Sequence, residues 1–428
     1  MKRVLLLLLT AVLLILALAS CQQAGDNTPN ETSANETGKQ TDSGKTENTT
    51  APAGTEKKEP QGDPSRPNWP NESDYDFFKV FEASTETPRE AVFNYMYKMA
   101  TVAWTPTKTW TTVHKNSADN SSLNLNHQYI AGKTYYGIPY ANTGSSLDGF
   151  LSVLEGNKFT SNSPYYTELI GNHCSSSMDR AFEQIIDING FGGILPEWAP
   201  EHLMYPEGSG IAAPEGWTND TKLIAQHAGE DKMYAGYAAL GMGDILYYTA
   251  PSGGHTRLVK EVNIVKNANG TVNYARSTVT VVEQTNAWYT SKKDTTWFVD
   301  KKYMFGELLK GGFLPVTLKV YHDEDFVIPD GYIAYKGTTT AETLMKNAIM
   351  GNVYSNFSFS YVRATVTDAN GKIVAEDAEY KNINKKTINL RNLYIDFKSL
   401  PAGEYTFNIR AGIAKGGCDV LTLPFTVK

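Results

Sequence analysis

Gly171-Asn172-His173-Cys174-Ser175-Ser176-Ser177-Met178-Asp179-Arg180-Ala181-Phe182-Glu183-Gln184-Ile185-Ile186 is the stretch on which the fold turns. Its apolar residues from Met178 onward are Met178, Ala181, Phe182, Ile185 and Ile186. That is the i, i+3, i+4, i+7, i+8 stripe of an amphipathic helix, and Gly190 stands where the helix should stop. Cys174 then falls in the first turn. Unpaired N–H groups and the positive end of the helix dipole stabilise a thiolate there and lower its pKa. The same amides can hold an oxyanion. A small buried thiol at a helix start has the same local signature, so these residues alone leave both readings open.

Downstream, Gly243-Asp244-Ile245-Leu246-Tyr247-Tyr248 reads as a short strand entered through a tight turn. A Gly/Ser-rich loop leads to Gly254-His255-Thr256-Arg257-Leu258-Val259-Lys260-Glu261-Val262, a second strand with His255 at its mouth. A His framed in this way suits a base that activates Cys174. His114, His127, His202, His227 and His322 lack that framing, and His173 is expected to shape the pocket. After a turn at Asn267-Ala268-Asn269-Gly270 comes Thr278-Val279-Thr280-Val281-Val282-Glu283-Gln284-Thr285-Asn286, predicted to pair antiparallel with the His255 strand. By period two, Val279, Val281 and Glu283 share a face and Gln284 takes the other. Glu283 is therefore the candidate orienter of the imidazole, with Gln284 left open; a solvated strand-end carboxylate would look the same.

Taken together, these blocks resemble the NlpC-type papain-like superfamily of cell-wall cysteine peptidases, which includes the CHAP amidases. The resemblance covers roughly residues 135–286. It implies Cys174 as nucleophile, His255 as base and Glu283 as third residue, with Asn286 a further member. Tyr136-Gly137-Ile138-Pro139-Tyr140 is similar to the family's Pro-Tyr segment, which implies Tyr140 near the nucleophile and the oxyanion. Three departures stand out: His173 replaces the usual Asp, Ser-Ser-Ser follows the cysteine without the common Gly, and a long insert separates Cys174 from His255. That insert, residues 190–231 with Trp198, Tyr205 and Trp217, is expected to form loops over the cleft.

The flanks set the location. Met1-Lys2-Arg3 is followed by an unbroken apolar run from Val4 to Ala17, too short to span a bilayer as a mature helix, so it reads as an export signal. Leu18-Ala19-Ser20-Cys21 resembles a bacterial lipobox, which implies acylation of Cys21, removal of residues 1–20 and a lipid-anchored, extracytoplasmic protein. Residues 21–72 are dominated by Thr, Ser, Asn, Gly, Glu, Lys and Pro and read as a disordered tether. Thr87-Pro88-Arg89-Glu90 is a capping box with Pro at the first helical position, so a helix should run to about residue 103.

From about residue 326 short alternating strands appear, at Phe357–Val366, around Ile373-Val374-Ala375, and after Leu400-Pro401-Ala402-Gly403. They predict an antiparallel β-sandwich of immunoglobulin-like type that carries Cys418.

The net charge of −7, with 39 basic and 46 acidic residues mixed along the chain, excludes a nucleic-acid-binding basic stripe. Three cysteines are too few for a disulfide framework, although a Cys174–Cys418 bridge is allowed outside the cell. Neither a metal-ligand spacing nor a phosphate-cradling glycine loop is found, and no cofactor is called for. The expected fold is α+β: a papain-like catalytic domain over residues 73–325 with an antiparallel sheet, then the β-sandwich over 326–428. The expected function is hydrolysis of amide bonds in peptidoglycan peptides. The rival is a non-catalytic surface binding protein, with which the 25 tyrosines are equally compatible.

Overall fold

The computed structural model of the protein describes residues 66, 69–119, 122–188, 193–380 and 384–428. The export signal, Cys21 and most of the tether lie outside the described residues, as does Gly190. Among the described residues no helix is long and apolar enough to cross a membrane.

The chain is a mixed α+β protein whose sheets are largely antiparallel. The capping box forms as the sequence demands: Glu90 N–H donates to Thr87 Oγ1 at 3.3 Å, and Thr87 N–H donates to the Glu90 carboxylate at 3.0 Å. The helix it opens spans Pro88–Thr101 and buries Val92, Met96, Met99 and Ala100. The cysteine helix runs Cys174–Phe182, and its C-cap is Glu183, whose N–H reaches the Asp179 carbonyl. It is shorter than the stripe implied, because Gln184 to Ile186 continue as turns. The stripe itself is buried as expected, with Met178, Ala181, Phe182 and Ile185 at 0 % exposure. These two helices pack against each other and against the largest sheet.

That sheet has six strands in the order Trp297–Met304, Thr278–Gln284, Gly253–Asn263, Ile245–Ala250, Leu314–Leu318, Leu203–Met204. The histidine strand (Gly253–Asn263) and the glutamate strand (Thr278–Gln284) form the expected antiparallel pair, with Leu258 opposite Val282 and Val259 opposite Val281. A bulge between Val259 and Glu261 shifts the register beyond them. The insert before the sheet is only partly loop, since it contributes the helix Thr221–Ala228 as well as Trp198 and Trp217, whose rings lie 5.7 Å apart.

The C-terminal region holds two four-stranded antiparallel sheets around one apolar core. One sheet orders Ile373–Glu379, Phe359–Asp368, Gly403–Ile413, Gly416–Val427. The other orders Phe77–Phe81, Gly331–Gly337, Gly351–Ser355, Thr387–Asn389. Ile333, Tyr335 and Val353 from the second meet Phe359, Phe407 and Ile409 from the first in that core. Pro424 is tolerated because its strand lies at a sheet edge. Cys418 is buried on the same strand, opposite Ala411.

Phe77–Phe81, within the 73–325 span expected for the first domain, pairs with the strand Gly331–Gly337 of the span expected for the second. Trp69, expected within the tether, packs edge-on against Tyr332 at 5.3 Å. Sequence proximity placed Phe77–Phe81 with the helix that follows and Trp69 with the segment before it, whereas contacts with a distant strand decide the location of both. Asp330 joins the two crossings: its carboxylate accepts from Ala83 N–H at 2.7 Å and from Arg66 Nε at 2.8 Å.

Candidate active site

Cys174 opens its helix as the sequence predicts. His173, in extended conformation, is the N-cap, and its N–H is taken by Ser176 Oγ at 3.0 Å. The first N–H groups of a helix have no acceptor within it, so those at Cys174 and Ser175 are donors to whatever stands before the helix. The Cys174 side chain is buried and disulfide-bonded; Cys418 is a buried free thiol. The Cys174 carbonyl accepts from Ser177 Oγ at 2.9 Å and from Thr256 Oγ1 at 2.8 Å.

His255 and Glu283 meet. The imidazole Nε2 lies 2.5 Å from Glu283 Oε2, and among the described residues Glu283 is the only hydrogen-bond partner of that ring. A carboxylate only accepts, so the ring donates from Nε2 and Nδ1 is the unprotonated nitrogen of the neutral ring. Glu283 is 1 % exposed and is surrounded by donors. Arg257 Nε reaches Oε2 at 2.8 Å, Tyr303 OH reaches Oε1 at 2.5 Å, and Lys301 Nζ stands 3.5 Å from Oε1. Burial alone would raise the Glu283 pKa, but Arg257, His255 and Lys301 together hold it well below the usual carboxylate range. Burial lowers the His255 pKa; Glu283 opposes this, while Arg257 and Lys301 add to it.

Strand register explains which groups share a face. Thr256 is opposite Tyr247, and His255 is opposite Tyr248. Neighbouring residues face opposite sides. Thr256 thus reaches the cysteine helix, while His255, Tyr248 and Arg257 turn to the side of Phe313, whose ring lies 6.3, 5.5 and 3.7 Å from them respectively. The two sides come together at Gly253-Gly254, where the strand begins. There a cleft of about 150 Å³ is lined by Cys174, Ser175, Trp198, Asn219, Tyr247 and His255, among others.

The other expected site residues lie elsewhere. Gln284 points away from His255 and donates to the Ile138 carbonyl at 2.9 Å, so of the two alternatives it is Glu283 that contacts the imidazole. Tyr140 is 0 % exposed, stacks on Tyr166 at 5.7 Å and is not among the cleft-lining residues. Its ring is core at the place where an oxyanion donor was expected. Asn286 also lies outside the cleft lining, and its carbonyl accepts from His127 Nε2 at 2.8 Å. His173 is turned toward Asn142, with its Nε2 2.9 Å from Oδ1, and burial lowers its pKa to about 4.

Asp244 of the Gly-Asp-Ile block serves the frame. It accepts from Thr317 Oγ1 at 2.6 Å and Gly241 N–H at 2.7 Å and pairs with Arg89 at 2.9 Å. Gly243 must be glycine: its φ is +84°, and a Cβ there would lie 3.0 Å from the Tyr321 hydroxyl.

Arg257 is the functional candidate that the sequence reading passed over. Its signal was present, since it stands two residues beyond His255 and so shares its face. Tyr303 and Phe313 carried no local signal, because they arrive from other segments.

In comparisons with known proteins, no family model, no curated protein and no solved structure matches this chain.

Proposed function

We propose that this protein is a lipid-anchored, extracytoplasmic cysteine hydrolase that cleaves amide bonds in peptidoglycan peptides. In this reading the Cys174–Glu283 region is a papain-like domain of the NlpC/CHAP kind, and the C-terminal sheets form an immunoglobulin-like sandwich. The observation that carries the reading is His255, bonded through Nε2 to the buried Glu283 carboxylate, lining the same cleft as a cysteine at a helix start.

The reaction starts from Cys174 as a thiol. His255 Nδ1 takes the Sγ proton, and the thiolate attacks the amide carbonyl carbon. Helix-start N–H groups hold the oxyanion. Collapse breaks the C–N bond, the imidazolium returns its proton to the leaving amine, and a thioester remains. Water then attacks the thioester as His255 accepts its proton, releasing the acid and restoring the thiol. Glu283 keeps the ring in the required tautomer throughout.

A second reading is a non-catalytic surface binding protein. It is favoured by the 1 % exposure of Cys174.

The test uses the reduced soluble form beginning at Gln22, incubated with wall fragments whose products are read by mass spectrometry. Hydrolysis by the wild type that Cys174→Ala abolishes, with wall binding retained, supports the enzyme. Equal binding by both proteins without any cleavage replaces it with the binding protein.

A further inference from the structure

We propose that Arg257 is a positioning residue, whose guanidinium fixes the Glu283 carboxylate in the orientation that holds His255 as its Nε2–H tautomer. The inference rests on the hydrolase reading for its consequence and on geometry for its content. Glu283 Oε2 receives two donors, His255 Nε2 at 2.5 Å and Arg257 Nε at 2.8 Å. Oε1 is held by Tyr303 OH at 2.5 Å, with Lys301 Nζ at 3.5 Å. Arg257 is itself clamped: its guanidinium carbon sits 3.8 Å from the Tyr303 ring centroid and 3.7 Å from that of Phe313. Phe313 also stands edge-on to His255, at 88° between ring planes. One aromatic wall therefore aligns both the guanidinium and the imidazole, and the carboxylate lies between them.

The final torsion of a glutamate is broad, so a carboxylate with fewer partners turns readily. Arg257 removes that freedom at the oxygen that His255 uses. It also opposes protonation of both groups, which keeps the carboxylate an acceptor and the ring a base. Lysine offers a point charge without the planar fork or the flat face that fits between two rings, so it should replace arginine only in part.

The test compares the reduced soluble form with its Arg257→Lys, Arg257→Met, Glu283→Gln and double Arg257→Met/Glu283→Gln variants. The ring nitrogens of His255 are read by ¹⁵N NMR, and hydrolysis of wall fragments by kcat and KM. The expected result is a single Nε2–H tautomer in the wild type and a mixed ring in Arg257→Met. Turnover in Arg257→Met should fall about ten- to a hundredfold, the usual range for loss of a supporting partner, with KM changed less than about twofold. Arg257→Lys should fall between the two. In the Glu283→Gln background, Arg257→Met should cost less than about twofold more, because its path of action is already gone.

A wild-type tautomer in Arg257→Met, or losses that multiply independently in the double variant, would overturn the proposal. If Arg257→Met does not fold, Arg257→Lys decides by the same readouts. A wild type that hydrolyses nothing defeats the hydrolase reading, and the NMR comparison then decides the role of Arg257 by itself.

Discussion

Thr256 donates its hydroxyl to the carbonyl of Cys174 at 2.8 Å, bolting the start of the cysteine helix to the strand that begins beside His255. The two functional segments are far apart in the chain, and this bond sets how the helix start sits against the strand end. Thr256 is 1 % exposed, so its hydroxyl has little access to water as an alternative partner.

Thr256→Val keeps the side-chain shape and removes the donor. The Cys174 carbonyl retains Ser177 Oγ at 2.9 Å, so the expected loss of stability is modest, about 1 kcal/mol. The loss of alkylation rate at Cys174 and of turnover should be larger than that stability change implies, since the helix start is free to shift. Chemical denaturation and thiol kinetics on the same variant check this; an unaltered rate would mean the bond is structural only.

Thiol reactivity should separate the two free cysteines of the reduced soluble form. Cys418 is buried and burial pushes its pKa up to about 11, so it should resist iodoacetamide in the folded state. Cys174 should react with a midpoint well below the ordinary thiol value of about 8.5, and His255→Ala should raise that midpoint. Mass spectrometry of labelled peptides between about pH 4 and about pH 9 reads both. An ordinary Cys174 midpoint removes the activated nucleophile.

Acid should destabilise the fold in two steps. His255 has a folded pKa below 6.5, so the unfolded chain binds more protons and stability falls as pH drops from about 6.5 toward the folded value. Glu283 has a folded pKa far below 4.5; its contribution is complete above about pH 4.5 and is lost as pH falls further. His255→Gln should flatten the upper step and Glu283→Gln the lower. Glu283→Gln should also cost on the order of 3–5 kcal/mol at neutral pH, because it leaves the buried Arg257 without its counter-ion. Urea midpoints across this pH range test both assignments, and unchanged slopes would contradict them.

Asp244→Ala should damage the frame and spare the chemistry. It strands the Gly241 N–H, leaves Thr317 Oγ1 with only His322 Nε2 at 3.3 Å and removes the counter-ion of Arg89, for an expected loss of about 2–4 kcal/mol. The Cys174 alkylation midpoint of the folded variant should match that of the wild type. A shifted midpoint would place Asp244 in electrostatic contact with the cleft.

The sequence was legible where a local period decided burial. The stripe from Met178 to Ile186 is buried by helical spacing, and strand parity puts Glu283 rather than Gln284 on the imidazole. The same parity would have revealed Arg257, had charge on the His255 face been weighed alongside the apolar pattern. Contacts made by distant segments were opaque. Nothing near Phe313 signals that its ring will wall both Arg257 and His255, and nothing near Phe77 signals its partner Tyr335. Tyr140 shows the same limit: a motif match carries a residue's neighbours in sequence, while the ring of Tyr166 that packs on it comes from another segment.

Phe77–Phe81 changes how force would travel through the molecule. Five antiparallel pairs, from Phe77 with Tyr335 to Phe81 with Gly331, fasten the incoming chain to the C-terminal sheet before the first helix begins. A pull on the segment preceding residue 77 loads that ladder in shear, and Asp330 holds Arg66 and Ala83 at the same junction. The load passes into the C-terminal sheet ahead of the helix that packs on Cys174–Phe182. The helices and sheet around the cleft thus hang between two anchored crossings as a side branch, shielded from a pull applied ahead of residue 77.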